Sequence, residues 1–232
     1  MKGSKTQTIL IRPAVLDGGP DKLLGELGYD SWRKIDDAPF ERAGLGSIWV
    51  GAVGDCVIIY SYLVGHFLEE DRNELDQASA TLKNSILQRF SEADIAILSL
   101  HSVVEHWGFA VYRRGTLIRR QHGYDGMVLA DEGPRLPAEE AYLSKFERHN
   151  DHGEIRYRHP EYPKYDDVSD AGLGEELVFE ICKSFTGGPL NRLKADGANF
   201  WLNDDEAEVL ARRAVKPTQG ANGSRPWWKF WG

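Results

Sequence analysis

The sequence predicts an α+β domain: a mostly antiparallel sheet with helices packed against it, in a single domain with a flexible aromatic C-terminal tail. Three observations carry this. Short β-rich runs follow one another between residues 94 and 130, separated by turn residues, the pattern of consecutive antiparallel strands. Two segments, 69–90 and 173–185, repeat apolar residues every three to four positions, the period of a helix with one buried face. The composition VKPTQGANGSRP at 215–226 has almost no core former and reads as a linker. The expected division is therefore a globular domain over 1–214, a linker over 215–226 and an aromatic tail over 227–232.

In chain order, Gln7 to Ile11 is a β-rich run stopped by Pro13, and Asp17-Gly18-Gly19-Pro20 is a turn. Asp21 to Leu27 suits a short helix ended by Gly28. Ser47 to Val53 and Cys56 to Tyr62 form a hairpin around Gly54-Asp55. In the long helix Leu75, Ala78, Leu82, Ile86 and Phe90 make one stripe, and Glu69, Glu70 and Asp71 suit its positive end. Strands follow at Asp94 to His101, His106 to Tyr112, Thr116 to His122 and Met127 to Ala130.

Arg114-Gly115 is a two-residue hairpin turn, so Tyr112 should face Leu117, Val111 Ile118 and Phe109 Arg120. Apolar side chains then occupy both faces, which predicts a sheet covered on both sides. Leu136 to Phe146 reads as helix after Pro137, Arg148 to Asp170 as a long loop, and Asp204 to Arg213 as a last helix capped by Asn203 with Glu206.

The chain has 232 residues, 28 basic and 36 acidic, for a net charge of −8. This size buries roughly 72% of its extended-chain surface, so no disulfide or metal is needed for folding. The acidic balance argues against duplex DNA or an anionic membrane as the main partner and permits a basic protein partner. Cys56 and Cys182 each sit in an apolar segment and read as small core residues in a reducing compartment. The N-terminal apolar stretch is too short for a signal peptide, and the longest apolar run is broken by Gly54-Asp55. The expectation is a cytoplasmic protein with no membrane span.

Four groups of residues are candidates for function. Three of the seven tryptophans fall in the last six residues, in Trp227-Trp228-Lys229-Phe230-Trp231-Gly232. Such rings are an aggregation liability in water, so they are expected to fold back on the domain or to dock on another protein or a second copy, with membrane-interface insertion and stacking on single-stranded nucleic acid as the lesser alternatives. His101, Glu105 and His106, in the string HSVVEH, match neither the zincin order nor its inverse. On two strands with a turn between, they could still converge for acid–base or metal chemistry, with Asp125, Asp131 and Glu132 nearby, against the plainer reading of a strand end and polar turn.

Arg113, Arg114, Arg119 and Arg120 gather at one hairpin, where they could clamp an anion or simply pair with the excess acids. His149, His152 and His159 could bind zinc, the first two on one side of a helical turn, but read more plainly as solvated loop histidines. No phosphate loop, dinucleotide fingerprint, nucleophile elbow or paired C-x-x-C is present, so no cofactor and no metal is expected.

ILSLHSVVEHWGFAVYRRGTLIRR (97–120), followed by DGMVLADEGPRLPAEEAYL (125–143), resembles a bacterial family filed as a domain of unknown function. The resemblance rests on a strand ending in His-Ser-Val-Val, a Phe-Ala-Val strand and the hairpin pattern Arg-x-Gly-x-Leu-Ile-Arg. A Gly-x-x-Leu-Pro segment and a late Leu173-Gly174-Glu175 helix extend it to roughly residues 90–188. It implies an α+β domain and marks His101, Ser102 and Trp107 as pattern positions without roles, and it implies no activity. The ending from Pro226 resembles a portable aromatic motif. The functional expectation is an acidic protein-interaction module, an inhibitor or immunity-type factor among its forms, with homo-oligomerisation open. The rival is a hydrolase-like enzyme built on His101, Glu105 and His106.

Overall fold

The computed structural model describes residues 5–28, 32–37, 48–61, 64, 68, 77–101, 105–161, 167–189 and 194–201. Twelve strands are described: β1 (Lys5–Arg12), β2 (Arg33–Asp37), β3 (Ile48–Val53), β4 (Cys56–Tyr60), β5 (Asp94–His101), β6 (His106–Arg113), β7 (Thr116–Tyr124), β8 (Met127–Glu132), β9 (Glu147–Asp151), β10 (Glu154–Arg158), β11 (Val168–Ser169) and β12 (Asp196–Trp201). Four helices accompany them: α1 (Gly19–Glu26), α2 (Gln77–Arg89), α3 (Pro137–Leu143) and α4 (Gly174–Thr186). Nine strands make one sheet in the order β2-β12-β3-β4-β1-β5-β6-β7-β8, and β11-β10-β9 make a second. Every neighbouring pair is antiparallel.

The large sheet is covered on both faces, as its apolar pattern requires. On the first face Ile9, Ile11, Val57, Ile59, Ile95 and Ile97 pack against Leu23 and Leu24 of α1 and Leu82 and Ile86 of α2. On the second, Leu10, Ile58, Leu98 and Phe109 pack against Leu177, Val178 and Ile181 of α4 and Tyr157 of the small sheet. Central β5 is therefore buried along almost its whole length, which explains its unbroken apolar run. Arg135 ties the small sheet to the rest, donating to the Tyr157 hydroxyl at 2.8 Å and to Asp170 at 3.2 Å. Cys56 and Cys182 are free buried thiols, and burial pushes them up to about 11 and about 12.

The structure differs from the sequence reading in three respects. Arg114 and Gly115 do form the two-residue turn, with φ of 49° and 73°, and Tyr112 does pair with Leu117. A bulge follows, so Val111 pairs with Arg119 rather than Ile118, and Phe109 with Gln121 rather than Arg120. One extra residue on a strand exchanges the faces of every side chain beyond it. The segment 148–170 is not one long loop. Residues 147–158 form the hairpin β9–β10, turning at His152 and Gly153 with φ of 51° and 95°, and β11 pairs beyond it. These strands have few apolar residues, which hid them; Tyr157 alone is fully buried, and ion pairs hold the outer faces.

β2 and β12 were not anticipated. β2 is exposed at every residue, and β12 starts Asp-Gly, a composition that speaks against a strand. Helix α2 is described over Gln77–Arg89, within the expected 69–90; residues 69–76 lie outside the described residues, as do the expected helix 204–213, the linker and the tail.

Candidate functional site

The antiparallel pairing of β5 and β6 sets His101 directly opposite His106. Both rings are buried, and Glu105 stands exposed in the connecting turn with φ of 51°. The three candidates that the sequence could only place in one stretch are thus brought to one end of the sheet. Ser99 places its hydroxyl 3.5 Å from His106 Nδ1. His122, half-buried on β7, pairs opposite Gly108 and adds a third imidazole two positions along the same face. A cleft of about 240 Å³ opens beside this strand end, lined by Glu105, His106, Trp107, Gly172 and Glu175 among others. The Trp107 indole lies so close over α4 that a Cβ on Gly174 would overlap it.

Burial, then the neighbouring His122 and His101 rings, lowers the His106 pKa from 6.5 to about 4. Such a ring is neutral at pH 7, able to donate or accept a hydrogen bond but a weak base for proton abstraction. A folded-state pKa below the unfolded value means that protonation favours the unfolded chain. Above pH 6.5 the ring costs nothing. As pH falls from 6.5 towards 4 the unfolded state takes up a proton that the folded state refuses, and stability drops by up to about 3 kcal/mol. Urea unfolding at pH 4 to 8 should show this loss, and His106→Gln should flatten it relative to the parent chain. A parallel profile in the variant would refute the assignment.

The four hairpin arginines do not form one group. Arg114 is exposed in the turn, and Arg113 sits 3.2 Å from Asp94 on the surface. Strand alternation puts Arg119 and Arg120 on opposite faces, and the bulge decides which face each takes. Arg119 is buried over the Phe109 ring, where it binds Glu139 at 2.8 Å and Asp131, and donates to the carbonyls of Glu132 and Gly133. Glu139 also accepts from the Leu136 backbone N–H at 2.8 Å, closing the first turn of α3. Arg120 reaches Glu132 at 2.5 Å and the Leu68 carbonyl on the first face. Three of the four guanidiniums are thus engaged by carboxylates.

The loop histidines also lie apart. His149 and His152 sit on a hairpin rather than a helical turn, so their spacing of three does not align them. His149 Nε2 is 2.8 Å from Asp167, His152 is at the exposed turn, and His159 meets the Phe146 ring edge-on. Among the described residues, no group of three or more His, Cys, Asp or Glu is placed to hold a metal ion. Among them too, no helix is long and apolar enough to cross a membrane.

One further feature was not singled out in the sequence. Among the described residues β8 is an edge strand, paired with β7 alone, and its first three residues Met127, Val128 and Leu129 are 57%, 37% and 57% exposed. The string Met-Val-Leu-Ala reads as a strand but gives no sign of lying at an edge. The other edge, β2, is Arg-Lys-Ile-Asp-Asp and carries charge along its length, a common protection against edge pairing.

A family model described as "Family of unknown function (DUF6928)" matches residues 34–160, over half of the chain. The matched stretch runs from β2 to the end of the small-sheet hairpin, so it takes in the histidine end of the sheet, the arginine network and the β8 edge. It starts earlier than the resemblance seen at 90–188 and stops before Leu173-Gly174-Glu175. No curated protein and no solved structure matches the chain.

Proposed function

The chain belongs to this family of unknown function, DUF6928, and we propose that it is an acidic cytoplasmic protein-interaction module that engages a basic partner, in the manner of an inhibitor or immunity-type factor. The observation that carries the reading is the apolar β8 edge, beyond which no other described strand pairs. Three consecutive exposed apolar residues on the outer strand of the described sheet favour strand addition, in which backbone hydrogen bonds supply affinity and the side chains supply selectivity. The net charge of −8 adds attraction for a basic partner. Trp227, Trp228, Phe230 and Trp231 of the tail are the second docking element in this reading.

The test is a set of matched affinity purifications with mass spectrometry. The full chain should recover a specific protein, and Leu129→Lys should reduce that recovery at least tenfold while leaving the unfolding midpoint unchanged, because residue 129 is exposed. Identical recoveries with and without Leu129→Lys would reject the edge as the docking surface.

A second reading is favoured by the cleft beside Glu105 and His106: a hydrolase-like enzyme using His101, Glu105 and His106. It requires stoichiometric metal or a hydrolytic activity in the purified chain that His101→Ala abolishes. Metal content and activity equal to those of the variant would remove it.

A further inference from the structure

We infer that the cleft beside Glu105 and Trp107 receives one Lys or Arg side chain of the protein partner, its carbon stem against the indole wall and its cationic head with Glu105 and Glu175. The inference deepens the docking reading above by naming where the partner's charge is received, and it rests on that reading only for the cation's being part of a protein.

The cleft lies where β5 passes to β6, where β7 turns into β8 and where α4 begins. Its inner wall is apolar and buried, made by Leu100, Trp107 and Ala171. That wall is set before any ligand arrives. A Cβ on Gly123 or on Gly174 would overlap the Trp107 indole, so the backbones of β7 and α4 pack directly on the ring and hold it. Gly126 and Gly172, both exposed, place no side chain over the mouth. At about 240 Å³ the space falls below the roughly 300–1,000 Å³ of a pocket for a drug-sized ligand, and it suits a single long side chain.

Charge decides which side chain. Glu105 is exposed at the rim, and Glu175 is half-buried in the first turn of α4. Among the described residues that line the cleft, none is Lys or Arg. His106 completes the wall as a neutral ring at pH 7, so it sets no positive charge against an incoming cation. The N-terminal end of α4 would by itself favour an anion, but Glu175 and Glu176 in its first turn reverse the sign there. The complement of such a cleft is a long basic side chain, with methylenes against the indole and an ammonium or guanidinium group facing carboxylates. The cleft is also continuous with the docking edge. Gly126 lines it, and the next residue, Met127, begins the exposed strand β8. A partner strand paired along β8 reaches the cleft at its Met127 end.

Nuclear magnetic resonance titration of the isotope-labelled full chain tests this. The probes are Nα-acetyl-lysine amide and Nα-acetyl-arginine amide, with Nα-acetyl-norleucine amide as the uncharged control of similar shape. The backbone amides of Trp107, Gly126 and Gly172 should shift with either basic probe, saturating at concentrations of order millimolar. The norleucine amide should bind about tenfold more weakly or worse. Glu105→Gln and Glu175→Gln should each weaken the basic probes about threefold or more, and Glu105→Lys should abolish their binding and lower partner recovery about tenfold. Glu105 is exposed in a turn, so its variants should keep the parent's unfolding midpoint. Equal binding of the lysine and norleucine amides would overturn the inference. So would unshifted amides at the cleft, or basic-probe binding that Glu105→Lys leaves intact. Partner recovery separates the two levels. If Leu129→Lys abolishes capture while no probe shifts the cleft amides, the docking reading survives and the cleft's part in it does not. If the basic probes bind but the full chain captures no protein, the cleft's preference for a basic group stands, and its protein source falls with the docking reading.

Discussion

Glu139→Ala should cost about 3–5 kcal/mol of stability, read as a fall in the urea midpoint at constant slope. Arg119 and Glu139 are both about 1% exposed, and the pair is completed by Asp131 and the carbonyls of Glu132 and Gly133. Removing the carboxylate leaves a guanidinium buried beside Phe109 without its main counter-charge, and a charge in that setting is far more costly than in water. It also removes the acceptor for the Leu136 N–H at the start of α3. Arg119→Met combined with Glu139→Leu should recover much of the loss, since a well-packed apolar pair avoids desolvating two charges. A loss below about 1 kcal/mol for Glu139→Ala would mean that water reaches the pair. The surface pair Arg113–Asp94 is the built-in contrast: Asp94→Ala should change stability by less than about 1 kcal/mol.

Trp49→Ala should cost a comparable amount, about 3–5 kcal/mol. Trp49 is fully buried on β3, and its indole lies across two glycines, Gly51 two residues along and Gly197 on the neighbouring strand β12. A Cβ at either glycine would overlap the ring and a backbone carbonyl, that of Asp196 or of Val50. The three residues therefore form one packed unit that joins β12 to the sheet. Truncating the ring leaves a cavity that two glycines have no side chains to fill, so collapse is poor and the cost stands at the upper end of the range. Gly51→Ala should be destabilising by about 1–3 kcal/mol through overpacking, although alanine has the better intrinsic preference. Thermal or urea unfolding checks both, and a Trp49→Ala cost near 1 kcal/mol would show that the site closes over the missing ring.

The strands from 94 to 130 were legible because each is a dense apolar run bounded by turn residues whose conformation is local, such as Arg114-Gly115. Helix α4 was legible because Leu177, Ile181 and Phe185 repeat with the helical period and Gly187, at φ of 75°, ends it. β12 was not, because Asp196-Gly197-Ala198 has no β-forming tendency; Gly197 is there to admit the Trp49 ring, a requirement set by another strand. β9 to β11 were not, because polar strands on a half-exposed small sheet leave no apolar alternation to read. At the candidate sites, the residue types were visible but not their directions. A single bulge at Ile118, between the Tyr112–Leu117 and Val111–Arg119 pairs, decides that Arg119 goes into the second-face core and Arg120 to the first.

What the sequence by itself determined is what depends on neighbours along the chain. That covers the α+β class, the central strands and their turns, the buried character of the two thiols, and the presence of His101, Glu105 and His106 on adjoining segments. What only the tertiary structure decided depends on contacts between distant residues. That covers the strand order, the burial that holds His106 neutral, the carboxylate partners of the arginines, and the position of Met127-Val128-Leu129 at an edge of the described sheet. An apolar strand has the same composition in the middle of a sheet as at its margin. Whether its second side is paired is set by the order in which the strands assemble, and local pattern carries no information on that order.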